Sequence, residues 1–189
     1  DLVQPGPISP ADGISLAHSL LDERGWQVEE LKACASTLAE SVGHVPFYIH
    51  KLVSRLPRML AASPIAIGQV LDREITSDNN DWDLDHYRDR LRPYYGQDEK
   101  LALQILDAVA TAGSLDFQSI KRAVGAQMAV DDEKLRGLLK LLCMDHYLTR
   151  SVVEDHSPGR HVSTPDGTVP PYRFYLDLIR RWWRLSRSL

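Results

Sequence analysis

The sequence has little of what several protein classes require. It contains only two cysteines, Cys34 and Cys143, in 189 residues, which is too few for a disulfide framework. Both lie in or beside apolar helical stripes, so we expect buried thiols. No apolar run approaches the roughly 20 residues of a membrane-spanning helix, and no secretory signal segment opens the chain. We therefore predict a cytoplasmic protein without a membrane partner.

Motifs for catalysis and for metal binding are also missing. The chain has no G-x-x-x-x-G-K-[ST] loop to hold phosphates and no G-x-G-x-x-G after a strand. No serine, histidine and aspartate lie in a recognisable nucleophile context. Cys143 and His146, followed by His156 and His161, match no standard zinc spacing. We predict no catalytic residues, no metal and no cofactor for this chain.

The net charge of -4 is divided unevenly along the chain. Residues 1–95 carry a net charge of -5, and residues 96–189 carry +1. Neither half has the strongly basic balance of a dedicated nucleic-acid-binding protein. The chain opens on Asp1 rather than on methionine, and a proline-rich stretch follows at once. These features predict a piece of a longer protein.

Helical signals run through the whole first half. Ser9-Pro10 and Ser63-Pro64 are cap and first-turn pairs, Pro46 can open another helix, and Gly25 and Gly43 can each end one. The polar stretch from Ser77 to Asp83 predicts a loop that packs no apolar surface, followed by a short helix over residues 84–92. We therefore predict a helical domain over residues 1–95.

The second half changes from helical to strand periodicity. Apolar stripes predict helices over 101–109, 117–124 and 135–142, with Ser114 and Asp116 as cap-like residues. Residues 147–153 and 172–175 then predict an antiparallel β-hairpin with a long tip, and residues 176–189 predict a closing helix. This order is typical of a winged helix-turn-helix over residues 96–189. The predicted fold class is mainly α with a small antiparallel hairpin.

Short phrases stand in a consistent order along the chain. They are Val42-Gly43-His44-Val45-Pro46-Phe47-Tyr48, Trp82-Asp83-Leu84-Asp85-His86-Tyr87-Arg88, Arg90-Leu91, Tyr94-Tyr95-Gly96, Asp145-His146-Tyr147-Leu148 and Tyr172-Arg173-Phe174 through Arg181-Trp182-Trp183. Together they resemble the C-terminal part of archaeal-type STAND P-loop ATPases, relatives of the AAA+ proteins. The resemblance implies that residues 1–95 form a helical lid and that the remainder forms a winged helix. It places the ATPase core upstream of this chain as its partner, and it implies ATP and Mg²⁺ for the parent protein only.

The resemblance also implies a nucleotide-lid site at Gly43, His44 and Pro46. In that family a Gly-x-Pro motif opens a lid helix near the adenine, and Pro46 matches its proline. Strict spacing would put glycine at position 44, where this chain has His44, and Gly43 stands one residue earlier. The alternative is structural, since Gly43 can end one helix in the left-handed conformation and Pro46 can start the next.

The third helix of a winged helix can enter the major groove of DNA. Here it starts with the carboxylates of Asp131, Asp132 and Glu133, which phosphate would repel, and it turns Leu141 and Met144 outward. This face favours protein docking, and the DNA backbone is the second candidate partner. The candidate contact residues are Lys121, Arg122, Arg136, Lys140, Arg150 and Arg160.

Two further basic groups have simpler explanations than binding. Trp182 shares an apolar stripe of the arginine-rich tail, so we predict that this tail packs as a helix rather than serving as a binding arm. Lys51, Arg55 and Arg58 are expected to form a solvated face. The predicted function is regulatory, as the C-terminal part of a P-loop ATPase. The alternative is a free-standing winged-helix transcriptional regulator that binds DNA.

Overall fold

The structure is a computed structural model with two compact units, Asp1–Asp83 and Leu84–Leu189. It is mainly helical, with one small antiparallel sheet. Each unit is described by itself. The described residues are 6–26, 28–57, 63–77, 81–126, 128–150 and 169–189.

The first unit contains helices whose starts follow the predicted caps. Ser9 accepts a hydrogen bond from the Asp12 amide at 3.1 Å, and Ser63 accepts one from the Ala66 amide at the same distance. Each cap satisfies one of the amides that a helix start leaves without an internal partner. The described helices of this unit are α1 (Pro10–Asp22), α2 (Val28–Ser41), α3 (Pro46–Arg55) and α4 (Pro64–Ile75).

The apolar stripes of these helices meet in one core. Its central side chains are fully or almost fully buried: Ala17, Leu21, Leu31, Leu38, Ile49, Leu52, Ile67 and Leu71. Trp82 joins this core at 2% exposure, and its ring stacks on Tyr48 with centroids 5.9 Å apart. The prediction that Ser77–Asp83 packs no apolar surface was therefore wrong at Trp82. The polar neighbours of Trp82 hid the contribution of a single large ring.

The second unit begins with short helices and continues through the three predicted helical stripes. Residues 84–92 were predicted as one helix, but two short helices cover this region and its continuation to Tyr95. The helices are α5 (Asp85–Asp89), α6 (Leu91–Tyr95), α7 (Glu99–Ala112), α8 (Phe117–Gly125), α9 (Asp132–Met144) and α10 (Asp177–Arg187), with a 3₁₀ turn at Gly96–Asp98.

Three short strands form the sheet of the second unit, and the last of them in sequence lies between the other two. The predicted antiparallel pairing of residues near 148 with residues 172–174 is confirmed, with Leu148 opposite Phe174. The sequence did not predict a third strand. Ser114 was expected to be a helix cap, but it pairs with Arg173 in the sheet. The strands are β1 (Ser114–Leu115), β2 (Leu148–Thr149) and β3 (Tyr172–Phe174). Most of the predicted hairpin tip, residues 151–168, lies outside the described residues.

Residues 84–95 belong to the second unit by their packing. The Tyr147 hydroxyl donates to the Tyr87 carbonyl at 2.7 Å, and the Tyr95 hydroxyl donates to the Asp145 carboxylate at 2.6 Å. Leu84 and Leu91 are each 1% exposed. The compact units consequently divide at residues 83 and 84, whereas the sequence placed a boundary near residue 95.

The buried phenols of this packing give the second unit a stability that depends on alkaline pH. Burial raises the pKa of Tyr147 from 10.0 to about 12 and raises the pKa of Tyr95 in the same direction. The folded state therefore holds these protons more tightly than the unfolded state does. We expect the free energy of unfolding to have its full value below pH 10 and to fall as the pH rises from 10 towards 12.

Urea unfolding at pH 9, 10, 11 and 12 would measure this dependence. The Tyr147→Phe variant is the control, because it cannot lose this proton and should show a shallower fall, after an initial loss of about 1 kcal/mol for the missing hydrogen bond. Equal slopes for the two proteins would contradict the assignment to Tyr147.

The C-terminal helix α10 packs on α7, and both of its tryptophans are buried. Trp182 is 5% exposed, as its place in the apolar stripe predicted, and Trp183 is fully buried. The Trp183 Nε1 donates to Asp107 at 2.8 Å, and Arg187 donates to both oxygens of the same carboxylate at 2.6 and 2.7 Å. Asp107 therefore joins the last two turns of α10 to α7.

Both cysteines are free thiols. Cys34 is buried, Cys143 is partly buried, and burial raises the pKa of the Cys143 thiol. Among the helices that the structure describes, none combines the length and the apolar character needed to cross a membrane.

Candidate functional site

The outward face of α9 carries the features expected of an interaction surface. Asp131 caps the helix by accepting a hydrogen bond from the Lys134 amide at 2.8 Å. Leucines at four positions turn inward, and the opposite side is open to solvent. Leu141 is 48% exposed and Met144 is 63% exposed, one turn apart. We call this outward set the α9 face: Glu133, Arg136, Gly137, Lys140, Leu141 and Met144.

Carboxylates hold the lysines near the start of α9. The Lys121 ammonium lies 2.6 Å from Asp132, and the Lys134 ammonium lies 2.6 Å from Asp98. The predicted contact residue Lys121 is thus paired within the unit. Such pairs are about half exposed, so they contribute little to stability, but they reduce the positive charge that a phosphate would meet.

Two other predicted contact residues stack on aromatic rings. The Arg136 guanidinium lies 4.0 Å from the centroid of the Phe117 ring, and the Arg150 guanidinium lies 4.7 Å from the centroid of the Tyr172 ring. Arg150 also donates to the Pro170 carbonyl at 3.2 Å. A guanidinium over a ring face is attracted by the ring quadrupole and loses rotational freedom. Both cations are therefore held in defined positions.

Tyr172 lies near both of the stacked arginines. Burial raises the pKa of its hydroxyl, while the positive charges of Arg150 and Arg136 act in the opposite direction. Both guanidiniums consequently lie close enough to influence the same phenol. Of these two guanidiniums, that of Arg150 stacks on the Tyr172 ring and that of Arg136 stacks on the Phe117 ring.

Three predicted contact residues remain, Arg122, Lys140 and Arg160. Arg122 and Lys140 are exposed. Arg160 lies outside the described residues. Phe117 and Tyr172 were missed as members of the surface, because their stacking on arginines depends on contacts between residues distant in sequence. Only the alternation of aromatic and basic residues could have suggested them.

The α9 face continues around the end of its helix. The Tyr147 amide donates to the Leu142 carbonyl at 3.0 Å, and His146 adopts a left-handed conformation with φ of 59°. This hydrogen bond and this conformation form a helix ending that usually employs glycine. The His146 ring lies 4.9 Å from the ring of Tyr175, which is 38% exposed. An exposed aromatic pair thus follows Met144.

The predicted lid residues form the corner between α2 and α3. Gly43 and His44 have φ of 64° and 57°, and the His44 amide donates to the Ala39 carbonyl at 2.8 Å. Pro46 is the first residue of α3. The left-handed pair ends α2, and the fixed φ of proline starts α3, so the corner has the local geometry that the structural alternative required.

The side chain of His44 faces inward. It is 6% exposed, and its carbonyl accepts a hydrogen bond from the Ile8 amide at 3.0 Å. A Cβ built on Gly13 would meet the imidazole Nδ1 at 2.6 Å, so α1 lies directly against this ring. Gly43 and Pro46 are partly exposed. They form the solvent-facing part of the corner.

The basic row of α3 is partly neutralised. Arg55 forms ion pairs with Glu74, at 3.2 Å, and with Asp81. The Lys51 ammonium lies 5.6 Å from the centroid of the Phe47 ring. Arg58 lies outside the described residues. Within the described part of the chain, no group of three histidine, cysteine or acidic side chains is arranged to hold a metal ion.

No protein-family model matches this chain, and no curated protein matches it. The sequence and the geometry above are therefore the grounds for a functional proposal.

Proposed function

We propose that this chain is the regulatory C-terminal part of a P-loop ATPase and that its second unit is a winged helix that docks protein. Two observations support the architecture. The first unit is a set of packed helices, as a lid would be. The second unit has the order helix, strand, helix, helix, strand, strand with sheet order β1-β3-β2, followed by a closing helix. This arrangement places β2 against α9, the third helix of the motif.

The observation that carries the functional proposal is the composition of the α9 face. Leu141 and Met144 expose apolar surface on the helix that, in winged-helix proteins that bind DNA, enters the major groove. Large exposed apolar side chains near partly fixed arginines are typical of protein interfaces, where methionine and arginine are enriched. We assign this face to docking on the ATPase core of the same polypeptide.

The charge distribution supports protein over DNA as the partner. The first turn of α9 holds Asp132 and Glu133, and Lys121 is already paired with the first of them. DNA affinity depends on several unpaired cations along the phosphate backbone. Arg122 and Lys140 are exposed, and they favour contact with the DNA backbone as the second candidate function.

The corner at Gly43 and Pro46 is the proposed nucleotide-sensing point of the lid. Its partly exposed backbone can approach an adenine, whereas His44 acts through the packing of the corner against Gly13. The phosphate-binding groups would come from the core. We therefore expect no heat of ATP binding when the isolated chain is titrated calorimetrically, and micromolar binding would contradict this division of roles.

The docking proposal is tested by ATP hydrolysis in the natural full-length polypeptide. Replacing Leu141 and Met144 by serine removes apolar contact without altering the buried leucines of α9. We expect the rate of hydrolysis, or its dependence on protein concentration, to change by about fivefold or more, which is the usual size of coupling between distant sites.

A matched variant controls for the loss of exposed apolar surface. Leu185 and Leu189 are 45% and 41% exposed in or after α10, and their replacement by serine should leave hydrolysis unchanged. Equal behaviour of both double variants and the natural protein would contradict the docking proposal. Fluorescence anisotropy with duplex DNA at low salt tests the second candidate, for which Lys140→Glu should abolish binding.

A further inference from the structure

Two arginines at the α9 face and beside it are stacked on aromatic rings. Within the part of the chain that the structure describes, no carboxylate forms an ion pair with Arg136 or Arg150. Lys121, Lys134 and Arg187 of the same unit are each paired with an aspartate. Among the residues that the structure describes, none neutralises these two guanidiniums, so both can meet an external anion.

The two arginines are pre-organised for such an anion. Phe117 and Tyr172 hold the guanidinium planes by stacking, and the Pro170 carbonyl fixes one end of Arg150. A guanidinium held on a ring keeps its N–H groups directed outward and can donate two parallel hydrogen bonds to a carboxylate. Less side-chain entropy is lost on binding because the positions are already fixed.

Arg136 lies next to apolar surface on the same helix. Arg136 and Lys140 are one turn apart, and Lys140 is followed by Leu141 and, one turn further, by Met144. Residues three and four apart on a helix are neighbours on its surface. This surface therefore offers a row of cations along an apolar strip. A segment that matches it would carry acidic side chains opposite the cations and apolar side chains opposite the strip.

We infer that the α9 face binds an acidic amphipathic segment of the ATPase core on which it docks, with the carboxylates of that segment on Arg136, Lys140 and Arg150 and its apolar side chains on Leu141 and Met144. This inference rests on the proposed docking function and names the chemistry of the partner. The apolar strip favours a protein segment over a phosphate backbone, which would present negative charge along its whole length and no apolar side chains.

A designed peptide probe tests the inference. We would use a fluorescein-labelled 16-residue helix with leucine on one face and glutamate on the other, and a second peptide with lysine in place of glutamate. Fluorescence anisotropy with the whole chain should show binding of the glutamate peptide and none of the lysine peptide. Raising the salt concentration should weaken the binding, because part of it is electrostatic.

Variants then identify the residues that bind. The double variant Arg136→Gln, Arg150→Gln should weaken binding of the glutamate peptide about tenfold, as expected for the loss of charge-assisted hydrogen bonds at a partly exposed site. Arg184→Gln, an exposed position on α10, is the matched control and should change nothing. Circular dichroism melting of each variant checks that it remains folded.

The outcomes separate this inference from the docking proposal. Equal binding of both peptides, absence of binding, or equal affinities of the two arginine variants would overturn the acidic-partner inference. Tighter binding of a 20-base-pair duplex DNA than of the glutamate peptide would overturn it in favour of a phosphate partner. The hydrolysis test with Leu141 and Met144 decides the docking proposal independently, since those substitutions leave the arginines in place.

Discussion

Replacing Asp107 by alanine is expected to lower the free energy of unfolding of the second unit by about 3 kcal/mol. The carboxylate accepts hydrogen bonds from Trp183 and from two nitrogens of Arg187. Without it, the indole N–H of a fully buried tryptophan loses its acceptor, and the guanidinium loses its counter-charge. Both losses detach α10 from α7. Urea unfolding followed by tryptophan fluorescence measures the effect.

The conservative variant separates charge from hydrogen bonding at this position. Asp107→Asn keeps an oxygen for Trp183 but removes the charge that Arg187 meets, so we expect about half of the alanine effect. Asp89→Ala is the control, since that side chain is 72% exposed and should change stability by less than about 0.5 kcal/mol. A loss at Asp107 no larger than at Asp89 would show that this contact does not fasten α10.

Replacing Gly13 by alanine is expected to destabilise the first unit by about 2 kcal/mol, although alanine favours helices. The new Cβ would lie 2.6 Å from Nδ1 and 3.0 Å from Cβ of His44. His44 cannot easily retreat, because its amide is bonded to Ala39 and its carbonyl to Ile8. The corner between α2 and α3 must therefore shift. Thermal unfolding followed by circular dichroism measures the loss.

A second glycine provides the matched control. Gly137 lies inside α9, and a Cβ built there meets no atom within 4 Å. Gly137→Ala should therefore stabilise its helix by about 0.5–1 kcal/mol. Opposite signs for the two variants are the expected result. Stabilisation by both would mean that α1 does not hold the His44 ring.

Local signals in the sequence determined much of this fold. Caps such as Ser9, Ser63 and Asp131 mark the helix starts because a side-chain oxygen three residues before an amide can bond to it. Apolar periodicity predicted the buried faces of α7 and α9, because it too depends only on residues that are close in sequence. These signals need only neighbours within one helical turn.

Features that depend on distant residues could not be predicted in this way. β1 is two residues long, and its pairing with β3 joins residues 114 and 173. The bond between Asp107 and Arg187 spans 80 residues of sequence. Trp82 gave no periodic signal among polar neighbours, yet it is buried against Tyr48. In each case the tertiary contact, and not the local pattern, decides the outcome.

The candidate surface was predicted in composition but not in organisation. The sequence singled out Arg136, Lys140 and Arg150 as cations and Leu141 as an outward apolar residue. It did not show that two of the arginines stack on rings, or that Lys121 is neutralised by Asp132. Because of these contacts, Arg136 and Arg150 are fixed in position and keep their charge, whereas the charge of Lys121 is neutralised by Asp132.

Solvent accessibility of the Met144 methyl group tests the central claim most directly. The chain has only three methionines, so a ¹³C-methyl spectrum is simple to assign. A soluble gadolinium chelate should broaden the Met144 signal strongly in the isolated chain, where that side chain is 63% exposed. In the natural full-length polypeptide we expect the broadening to be much weaker at Met144 and unchanged at Met128. Equal broadening of Met144 in both proteins would contradict the proposal that this face docks on protein.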